Sequence, residues 1–523
     1  MRGRIIASTL AALLALAGTA AGQAPPAFSP AVAPHDCAAL AGLRIEDTNL
    51  LSATQVPAGG GVPAHCRVLG LVRPAINFEL RLPLADWNGK FYMVGCGGFC
   101  GQVLSDRPNF VNAMNHGLRR NYAAVTTDAG HWGLNATDGR WAWNNRLAEI
   151  DWGTRAVPEV ARASRALVNA FYGQAPQRSY FAGCSTGGRQ ALMQAQRFPA
   201  DFDGIIAGAP ALDYTGVVAT WMSWTTRANA GPNGQRIFDP AKAGLVQRAV
   251  TEACDAADGL RDGLVSEPRR CRFDPASLQC AAGANDTAQC MTEAEVGVLR
   301  RWYSPPRNSR GEQLYADAVP LGSEPFWPLW LSGTAERQPL LPAFNRDFLR
   351  YMAFAEDPGD TYDPLAFDFD RDPPRLAHMA AIYNAASPDL AGFRARNGRM
   401  IVYQGWADVV IPPETTIAWF ERAREAAGGR AAMDANARLF MIPGFDHCGI
   451  LSGPGINETG IDLLSALEAW VERGEAPAAI ATTRAAAGGQ PGWSRPVCPW
   501  PQVARHDGSG PVAEAASFAC VDP

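Results

Sequence analysis

Arg178-Ser-Tyr-Phe-Ala-Gly-Cys-Ser-Thr-Gly-Gly-Arg-Gln190 is the stretch of sequence on which the fold prediction rests. A short apolar run leads into a Gly-x-Ser-x-Gly pentapeptide, and a helix-compatible segment follows it to Arg197. A pentapeptide of this kind between a strand and a helix is typical of a nucleophile elbow, whose sharp turn lifts the serine hydroxyl above a parallel sheet. Ser185 is therefore the candidate nucleophile, and an ordinary glycine-rich turn is the alternative.

Composition and charge limit the class of protein. The 523 residues are 47% hydrophobic and 19% charged, which is enough to bury a large core in one domain with an insertion, or in two domains. This excludes a disordered or fibrous chain. Because the formal net charge is -5 and no run of lysine or arginine occurs, we expect no nucleic-acid partner.

The N-terminal residues have the pattern of a targeting segment. Arg2 and Arg4 precede an apolar run over residues 5–17, and small residues follow it to Gly22. The pattern predicts a signal peptide over residues 1–23 and a secreted or periplasmic mature protein. The run is too short to cross a membrane, and no other stretch reaches the roughly 20 apolar residues that a spanning helix needs.

The cysteine count agrees with export. All twelve cysteines follow the predicted signal peptide, and the even number allows six disulfides in an oxidising compartment. A zinc site is the alternative use of cysteine, and the sequence has no Cys-x-x-Cys pair to support it.

Strand-like runs flank the elbow on both sides. Residues 66–72 and 76–82 alternate with period two, which predicts the opening antiparallel strands of a mixed sheet. Further strands are predicted at residues 90–94, 122–127 and 204–207, with a helix at residues 151–171. Alternation of strand and helix indicates a parallel sheet, so the predicted fold class is α/β, an α/β-hydrolase fold with a large lid inserted between core strands.

Two features follow the early strands. The glycine-rich loop at residues 95–101 can present bare backbone N–H groups to an oxyanion, so Gly97 and Gly98 are candidate donors together with the N–H of Thr186. A tight turn closed by a Cys96–Cys100 bridge is the alternative and is compatible with that role. His131 precedes Ser185, whereas this architecture places its base last, so we interpret it as a pocket or structural histidine.

The strand–helix rhythm stops between residues 211 and 387. We predict that this segment is a lid domain, between a first core part at residues 24–210 and a second at residues 388–523. Its tryptophans would suit a flat aromatic substrate, or would form the core of the lid itself. They are Trp221, Trp224, Trp302, Trp327 and Trp330.

An acidic loop inside the lid segment is a candidate calcium site. Asp255, Asp258 and Asp262 are spaced three and four residues apart among glycines, so a compact loop could turn them inward with the carbonyls of Leu260 and Leu264. Hard oxygen donors in a flexible loop suit Ca²⁺. The loop lacks the final glutamate of an EF-hand, and ordinary surface Asp-Gly turns are the alternative.

The acid and the base come late in the sequence. Asp408 follows a strand predicted at residues 399–405, and His447 follows one predicted at residues 437–443, which completes the order Ser, Asp, His. Asp446 is adjacent to His447, and because neighbouring side chains point apart, Asp408 is the better orienting group. His447 would take the proton of Ser185, and Asp408 would fix the imidazole and stabilise its cation. An unreactive scaffold is the alternative.

Two cysteines flank these candidate catalytic residues. Cys184 directly precedes Ser185 and Cys448 directly follows His447. If they pair, the bridge would hold the nucleophile loop and the base loop in register while a lid moves.

At this point the sequence resembles the tannase and feruloyl esterase family of α/β-hydrolases, which includes hydrolases of terephthalate half-esters. The likeness spans nearly the whole mature chain, and the Cys-Ser, Asp, His-Cys arrangement is its most specific part. The matching segments are GCSTGGRQ at 183–190, FDGIIAGAP at 202–210, GWAD at 405–408, HC at 447–448, WVERGEAP at 470–477 and RPVCPW at 495–500.

The resemblance implies a catalytic triad of Ser185, Asp408 and His447, and a Ca²⁺ cofactor in the lid. The calcium ligands it implies are Asp255, Asp258, Leu260, Asp262 and Leu264. The disulfides it implies are Cys184–Cys448, Cys254–Cys271, Cys280–Cys290 and Cys498–Cys520, which leaves Cys37–Cys66 and Cys96–Cys100 as the remaining pairs. The two cysteines in the loop at residues 95–101 depart from the glycine run that the family has there.

The implied function is a secreted serine esterase that hydrolyses small carboxylic esters of aromatic acids, of feruloyl, galloyl or terephthalate half-ester type, through an acyl-enzyme. A non-catalytic, calcium-bound protein that binds aromatic ligands on the same fold is the main alternative. A serine peptidase is a weaker one, because nothing in the sequence marks a peptide-binding groove.

Overall fold

The structure is a computed structural model that describes residues 35–103, 113–284, 286–486 and 492–523. The predicted signal peptide, residues 1–23, lies outside the described residues. In the described ranges, no helix combines the length and the apolar character that crossing a membrane requires.

A nine-stranded mixed sheet forms the centre of the fold, in the order β1-β2-β3-β5-β4-β6-β7-β8-β9. The pairs β1–β2, β2–β3 and β3–β5 are antiparallel, and every pair from β5 to β9 across the sheet is parallel. The strands are β1 Thr48–Val56, β2 His65–Val72, β3 Ile76–Pro83, β4 Lys90–Val94, β5 Ala123–Thr127, β6 Arg178–Cys184, β7 Gly204–Gly208, β8 Arg399–Gly405 and β9 Ala437–Ile442.

The burial of each strand explains its place in the sheet. Along β2, buried and half-buried side chains alternate, as expected of a strand with one face more open than the other. All five residues of β7 are buried, because helices cover both faces of the parallel half. The predicted mixed sheet and its antiparallel opening strands are therefore confirmed.

The helices pack on this sheet and in the long segment between β7 and β8. They are α1 Met114–Leu118, α2 Arg146–Ile150, α3 Ala156–Tyr172, α4 Thr186–Arg197, α5 Met222–Ala228, α6 Ala243–Cys254, α7 Glu293–Trp302, α8 Trp327–Trp330, α9 Leu341–Tyr351, α10 Ala377–Tyr383, α11 Ala391–Ala395, α12 Pro413–Ala426, α13 Arg430–Asp434 and α14 Leu463–Arg473.

The helix predicted at residues 151–171 begins differently from the prediction. Asp151–Arg155 is a π-helical turn, and the α-helix proper, α3, begins at Ala156. The carbonyls of Trp152 and Gly153 accept hydrogen bonds from the buried guanidinium of Arg189, at 3.0 and 2.9 Å. These carbonyls therefore have a partner outside the helix, which fits a turn whose own hydrogen bonding is irregular.

The segment between β7 and β8 buries three of its tryptophans, in the same hydrophobic cluster as side chains of the central sheet. Trp221, Trp302 and Trp327 are fully buried there, and the rings of Trp302 and Trp327 meet edge to face at 5.1 Å. For these three residues, the structure agrees with the interpretation that they pack the lid rather than contact a ligand.

Six disulfides pair all twelve cysteines of the sequence, and each pair matches the prediction. They are Cys37–Cys66, Cys96–Cys100, Cys184–Cys448, Cys254–Cys271, Cys280–Cys290 and Cys498–Cys520. The last of them joins two short C-terminal hairpins, which consist of β10 Ile480–Arg484 with β11 Trp493–Val497 and β12 Val503–His506 with β13 Phe518–Val521.

Candidate active site

Ser185 lies at a sharp turn between β6 and α4. Its backbone has φ 65° and ψ −121°, a conformation that residues with a side chain rarely adopt. Hydrogen bonds hold the turn: the N–H of Ser185 donates to the carbonyl of Gly208 at 2.9 Å, and its carbonyl accepts from the N–H of Arg189 at 3.0 Å. The turn directs Ser185 away from the sheet, at the carboxyl end of the parallel strands.

Glycines around the turn allow the strand and the helix to approach closely. A Cβ atom on Gly183 would lie 2.5 Å from the backbone of Gly187, and one on Gly188 would lie 2.2 Å from the carbonyl oxygen of Gly208. Both distances are far below van der Waals contact. The glycines of the pentapeptide and its neighbour are therefore required by the packing of α4 against β6 and β7.

Asp408 and His447 meet on the loops that follow β8 and β9. His447 Nδ1 lies 2.9 and 3.1 Å from the two carboxylate oxygens of Asp408. The fully buried Asp408 also accepts the backbone N–H groups of Val410 and Ile411, at 2.8 and 2.9 Å, and the side-chain amide of Gln404 at 3.2 Å. These contacts hold the Asp408 carboxyl group in one orientation.

Asp446 faces a different environment, although it is adjacent to His447. Its Oδ2 accepts the backbone N–H of Leu451 at 3.1 Å. Burial, and secondarily the charge of Asp408, raises the pKa of the Asp446 carboxyl to about 9. Asp446 is therefore protonated at neutral pH, whereas Asp408 is the carboxylate in contact with the imidazole.

Ser185 and His447 line one cavity of about 540 Å³. The Cys184–Cys448 disulfide lies beside both residues and joins their loops. Trp330 belongs to the lid segment, and its ring contacts that of His447 edge to face, with the ring centroids 5.6 Å apart. The cavity is otherwise walled by apolar and aromatic side chains that include Tyr214, Val218, Met222, Leu329, Leu340, Phe344, Val410, Ile411 and Ile450.

The glycine-rich loop after β4 reaches the same cavity. Gly97, Gly98 and Thr186 all line it. The hydroxyl of Thr186 donates to the carbonyl of Gly98 at 2.6 Å, which ties the elbow to this loop. Gly98 has φ 60°, and a Cβ atom there would lie 2.4 Å from the carbonyl oxygen of Ala136, so the position requires glycine.

His131 lies apart from these residues. Its ring stacks on that of Trp141 with the centroids 3.7 Å apart, and burial lowers the pKa of His131 to about 3. The side chain is therefore neutral and packed. This geometry fits the interpretation of a structural histidine.

The acidic loop after α6 is organised around Asp255. Its Oδ1 accepts the backbone N–H groups of Asp262, Gly263 and Leu264, at 3.1, 3.0 and 3.2 Å. Arg495 contacts the second carboxylate oxygen of Asp262, at 2.6 Å. In the part of the chain that the structure covers, no three His, Cys, Asp or Glu side chains converge as metal ligands.

The donor chemistry of this loop nevertheless suits calcium. Its ten residues, 255–264, include three aspartates as well as backbone carbonyls, and all of these are hard oxygen donors. The loop contains all five calcium ligands that the family resemblance implies, which are Asp255, Asp258, Leu260, Asp262 and Leu264.

The sequence did not single out several residues of the cavity. Tyr214 and Phe344 reach it from the lid segment, and Asn135 and Thr137 reach it from the loop after β5. Tyr214 stands four residues after the Gly-Ala-Pro turn that ends β7, a position that could have marked it. Phe344 lies on α9, whose placement depends on how the lid packs.

The mixed sheet, the elbow between β6 and α4, and the acid and histidine after β8 and β9 define the protein as an α/β-hydrolase. Residues 61–521 match the family model described as tannase and feruloyl esterase. The chain belongs to the tannase and feruloyl esterase family, and it is a carboxylic ester hydrolase.

Proteins that are similar to this chain in sequence or in structure support the family assignment. The chain is 36% identical to an uncharacterized esterase of Xanthomonas campestris pv. campestris, over 99% of this chain and 95% of that protein. It is 35% identical to mono(2-hydroxyethyl) terephthalate hydrolase of Piscinibacter sakaiensis, over 90% of this chain and 87% of that protein. The crystal structure of feruloyl esterase B from Aspergillus oryzae superposes with a TM-score of 0.80 at 26% identity and covers 92% of this chain and 98% of that one.

Proposed function

We propose that the protein is a secreted serine esterase that cleaves carboxylic esters of aromatic acids through an acyl-enzyme. The observation that carries the proposal is that Ser185, on its strained turn, and the hydrogen-bonded pair of His447 and Asp408 belong to one aromatic-walled cavity. The family membership and the names of its relatives support an ester as the substrate.

In this mechanism, His447 Nε2 accepts the hydroxyl proton of Ser185 as Oγ attacks the ester carbonyl. Asp408 keeps the Nδ1 proton in place and stabilises the imidazolium. The backbone N–H of Thr186 and that of Gly97 or Gly98 stabilise the oxyanion. The C–O bond to the alcohol breaks as His447 returns its proton to the leaving oxygen. His447 then deprotonates a water, which attacks the acyl carbonyl. The bond from that carbonyl to Ser185 Oγ breaks as His447 returns the proton to Oγ, which releases the acid and free Ser185.

The walls of the cavity favour an uncharged acyl group. Among its described lining residues there is no Lys, Arg, Asp or Glu side chain, and the aromatic rings of Tyr214, Trp330 and Phe344 offer flat apolar surface. A feruloyl- or galloyl-type ester therefore fits better than a terephthalate half-ester, whose carboxylate would enter the cavity without a cationic partner.

The test of this function is a substitution of the nucleophile combined with a panel of esters. Ser185→Ala removes the attacking hydroxyl and almost no volume, so we expect loss of hydrolysis of methyl ferulate, methyl gallate and mono(2-hydroxyethyl) terephthalate, with an unchanged melting temperature. Wild-type protein should turn over the first two esters faster than the third. Wild-type turnover by the Ser185→Ala protein would refute the assignment, and binding of these esters without turnover by the wild type would favour the non-catalytic alternative.

We further propose that the loop of Asp255, Asp258 and Asp262, with the carbonyls of Leu260 and Leu264, holds one Ca²⁺. The bound ion would neutralise the acidic loop and fix its fold; it has no part in the chemical steps. We expect metal analysis to find about one calcium per chain and added calcium to raise the melting temperature, because a ligand bound only by the folded state stabilises it.

A variant of the same loop supplies the control for calcium. Asp258→Asn should reduce both the calcium content and the calcium-dependent rise in melting temperature. Asp274→Asn, an exposed acid outside the loop, should change neither. Equal melting temperatures with calcium and with chelator would contradict the proposal.

The secreted location belongs to the same proposal. Six disulfides, including one between distant parts of the chain, fit an oxidising compartment outside the cytoplasm. Fractionation of cells that express the full chain should recover the protein in the periplasm or medium, without residues 1–23.

A further inference from the structure

A second cavity lies in the lid segment, lined by none of the residues of the candidate active site. Its volume is about 560 Å³, which is in the range of small-molecule sites. Three arginines line it, Arg227, Arg301 and Arg307, together with the rings of Trp224 and Phe369. We call this the arginine cleft.

The three arginines have no carboxylate partner within ion-pair distance among the described residues. Two of them are supported by rings instead. The guanidinium of Arg301 lies over Trp224 at 5.4 Å, and that of Arg227 lies over Phe369 at 5.7 Å. Arg227 Nη1 donates to the carbonyl of Phe367 at 3.2 Å, and Arg307 donates to the carbonyl of Gly311 and to the side chain of Gln313, at 2.7 and 3.2 Å. The remaining N–H groups of Arg227 and Arg301 stay available for an anion, because stacking on a ring does not occupy the edge of a guanidinium.

The rings themselves are fixed in place. Trp224 and Phe369 meet edge to face at 5.6 Å. The indole N–H of Trp224 donates to the carbonyls of Arg301 and Ser304, at 2.8 and 3.0 Å. Both rings are half-buried, so part of each remains open to the cleft.

Two acids also line the cleft, and both have other partners. Asp370 accepts the backbone N–H and the hydroxyl of Ser309, at 3.1 and 3.0 Å. Asp368 accepts the backbone N–H groups of Asp370 and Arg371, at 2.8 and 3.2 Å. The side chains left to contact a ligand are therefore cationic and aromatic.

We propose that the arginine cleft binds an aromatic carboxylate. The carboxylate would receive N–H groups from Arg227 and Arg301, and the ring of the ligand would lie against the open parts of Trp224 and Phe369. Such an acid is the class of product that the proposed esterase reaction releases, and that link to the reaction rests on the proposed function.

The cleft is joined to the candidate active site by one helix. Met222, at the start of α5, lines the cavity of Ser185, whereas Trp224 and Arg227, on the same helix, line the arginine cleft. An acid bound at the cleft is therefore one short helix away from the wall of the catalytic cavity.

The test locates the ligand directly. Crystals of the full protein soaked with 4-bromobenzoate should show an anomalous bromine peak in the arginine cleft, and 4-bromobenzamide, which lacks the charge, should show none there. By calorimetry, the Arg227→Gln/Arg301→Gln double variant should bind 4-bromobenzoate about tenfold or more weakly, because two charge-assisted hydrogen bonds are lost. Arg396→Gln, an exposed arginine elsewhere, is the matched control and should bind as the wild type does.

The outcomes separate the cleft from the proposed function. A bromine peak in the cleft of a protein that hydrolyses no ester would retain the site and reject the esterase proposal. An active esterase with no bromine in the cleft would overturn the site alone. The site would also be overturned if 4-bromobenzamide bound as tightly as 4-bromobenzoate, or if the double variant bound 4-bromobenzoate as tightly as the wild type. Circular dichroism checks that the double variant is folded.

Discussion

Asp408 and Asp446 both lie near His447, but their surroundings differ. Asp408 accepts hydrogen bonds from the backbone N–H groups of Val410 and Ile411 and contacts the imidazole of His447. Asp446 accepts one backbone N–H and is otherwise buried, so the folded chain favours its neutral form. The two acids therefore differ in what they contact, and this difference predicts different roles for them.

Substitution of each acid tests this assignment. Asp408→Asn should lower the turnover of an aromatic ester by about 10⁴, because the amide no longer holds the histidine tautomer or stabilises its cation. Asp446→Asn replaces a neutral acid by a neutral amide of the same shape and should leave turnover within a few-fold of the wild type. Steady-state kinetics of the two variants decide the matter, and the reverse order of losses would exchange their roles.

The raised pKa of Asp446 also predicts a pH dependence of stability. The pKa is about 9 in the folded chain against an ordinary value of 3.8. Below pH 3.8 the folded and the unfolded chain both keep the proton on Asp446, and its full contribution to the free energy of unfolding is present. As pH rises toward about 9, only the unfolded chain loses the proton, so that stability decreases, by at most about 1.4 kcal/mol per pH unit.

Asp446→Asn has no such proton to release. Urea unfolding of the variant and the wild type at pH 5, 6, 7 and 8 should therefore show the variant gaining stability relative to the wild type at each step. Parallel curves at all four pH values would show that Asp446 is ionised in the folded chain.

At the scale of elements, the lid segment supplies the N-terminal cap of a core helix. Asp317 is buried and accepts the backbone N–H groups of Glu414 and Thr415, at 2.6 and 2.8 Å. These N–H groups belong to the first turn of α12, which follows the loop of Asp408. The contact therefore connects the lid segment to the helix that follows the loop of Asp408.

Removal of this cap should be costly. Asp317→Ala leaves two partly buried N–H groups without their acceptor, so we expect the free energy of unfolding to fall by about 1–2 kcal/mol. Asp317→Asn keeps one acceptor and should lose less. Asp363→Ala, which removes a cap from an exposed turn, is the control and should lose least. Urea denaturation measures all three, and equal losses for Asp317→Ala and Asp363→Ala would contradict the role of Asp317.

Elements with a strong period were predictable from sequence, and elements set by packing were not. β2 and β3 alternate with period two, β4 and β7 are short apolar runs bounded by glycines, and β6 contains an apolar run that leads into the glycine-rich elbow, so their positions agree with the prediction. β1 is an edge strand whose side chains are mostly exposed or half-buried, which leaves little hydrophobic signal in the sequence. The four C-terminal strands are only four or five residues long, and a disulfide supports them.

The same distinction holds in the site. Ser185, Asp408 and His447 were identifiable because each follows a recognisable strand in a fixed order. Trp330 was visible only as one of five lid tryptophans, because its contact with His447 depends on how the lid packs across the sheet. The neutral state of Asp446 depends on burial, which no short motif encodes.

At the scale of the whole molecule, one disulfide joins the two halves of the candidate site. Cys184 and Cys448 are 264 residues apart in sequence. In the chain-entropy model such a bridge stabilises the folded state by about 5 kcal/mol. Because it lies between Ser185 and His447, it also fixes the position of one loop relative to the other.

Replacement of both cysteines should therefore affect rate as well as stability. Cys184→Ala/Cys448→Ala should lower turnover about 10²-fold, since a shift near 1 Å between nucleophile and base has that effect. The control is Cys280→Ala/Cys290→Ala, whose bridge spans 10 residues within the lid, and it should lower the melting temperature with turnover unchanged. Equal turnover for the two double variants would limit the Cys184–Cys448 bridge to a stabilising role.

The long bridge has a consequence for how the chain is made. Four of the other disulfides close loops of 4 to 22 residues and the fifth closes one of 29, so both thiols of each emerge from the ribosome almost together. Cys184 emerges 264 residues before its partner, which at ordinary rates of synthesis is about 10 to 50 seconds. During that interval Cys254, Cys271, Cys280 and Cys290 appear as competing partners. Production of active enzyme should therefore depend on a disulfide isomerase, and host strains without one should accumulate mispaired, inactive chains.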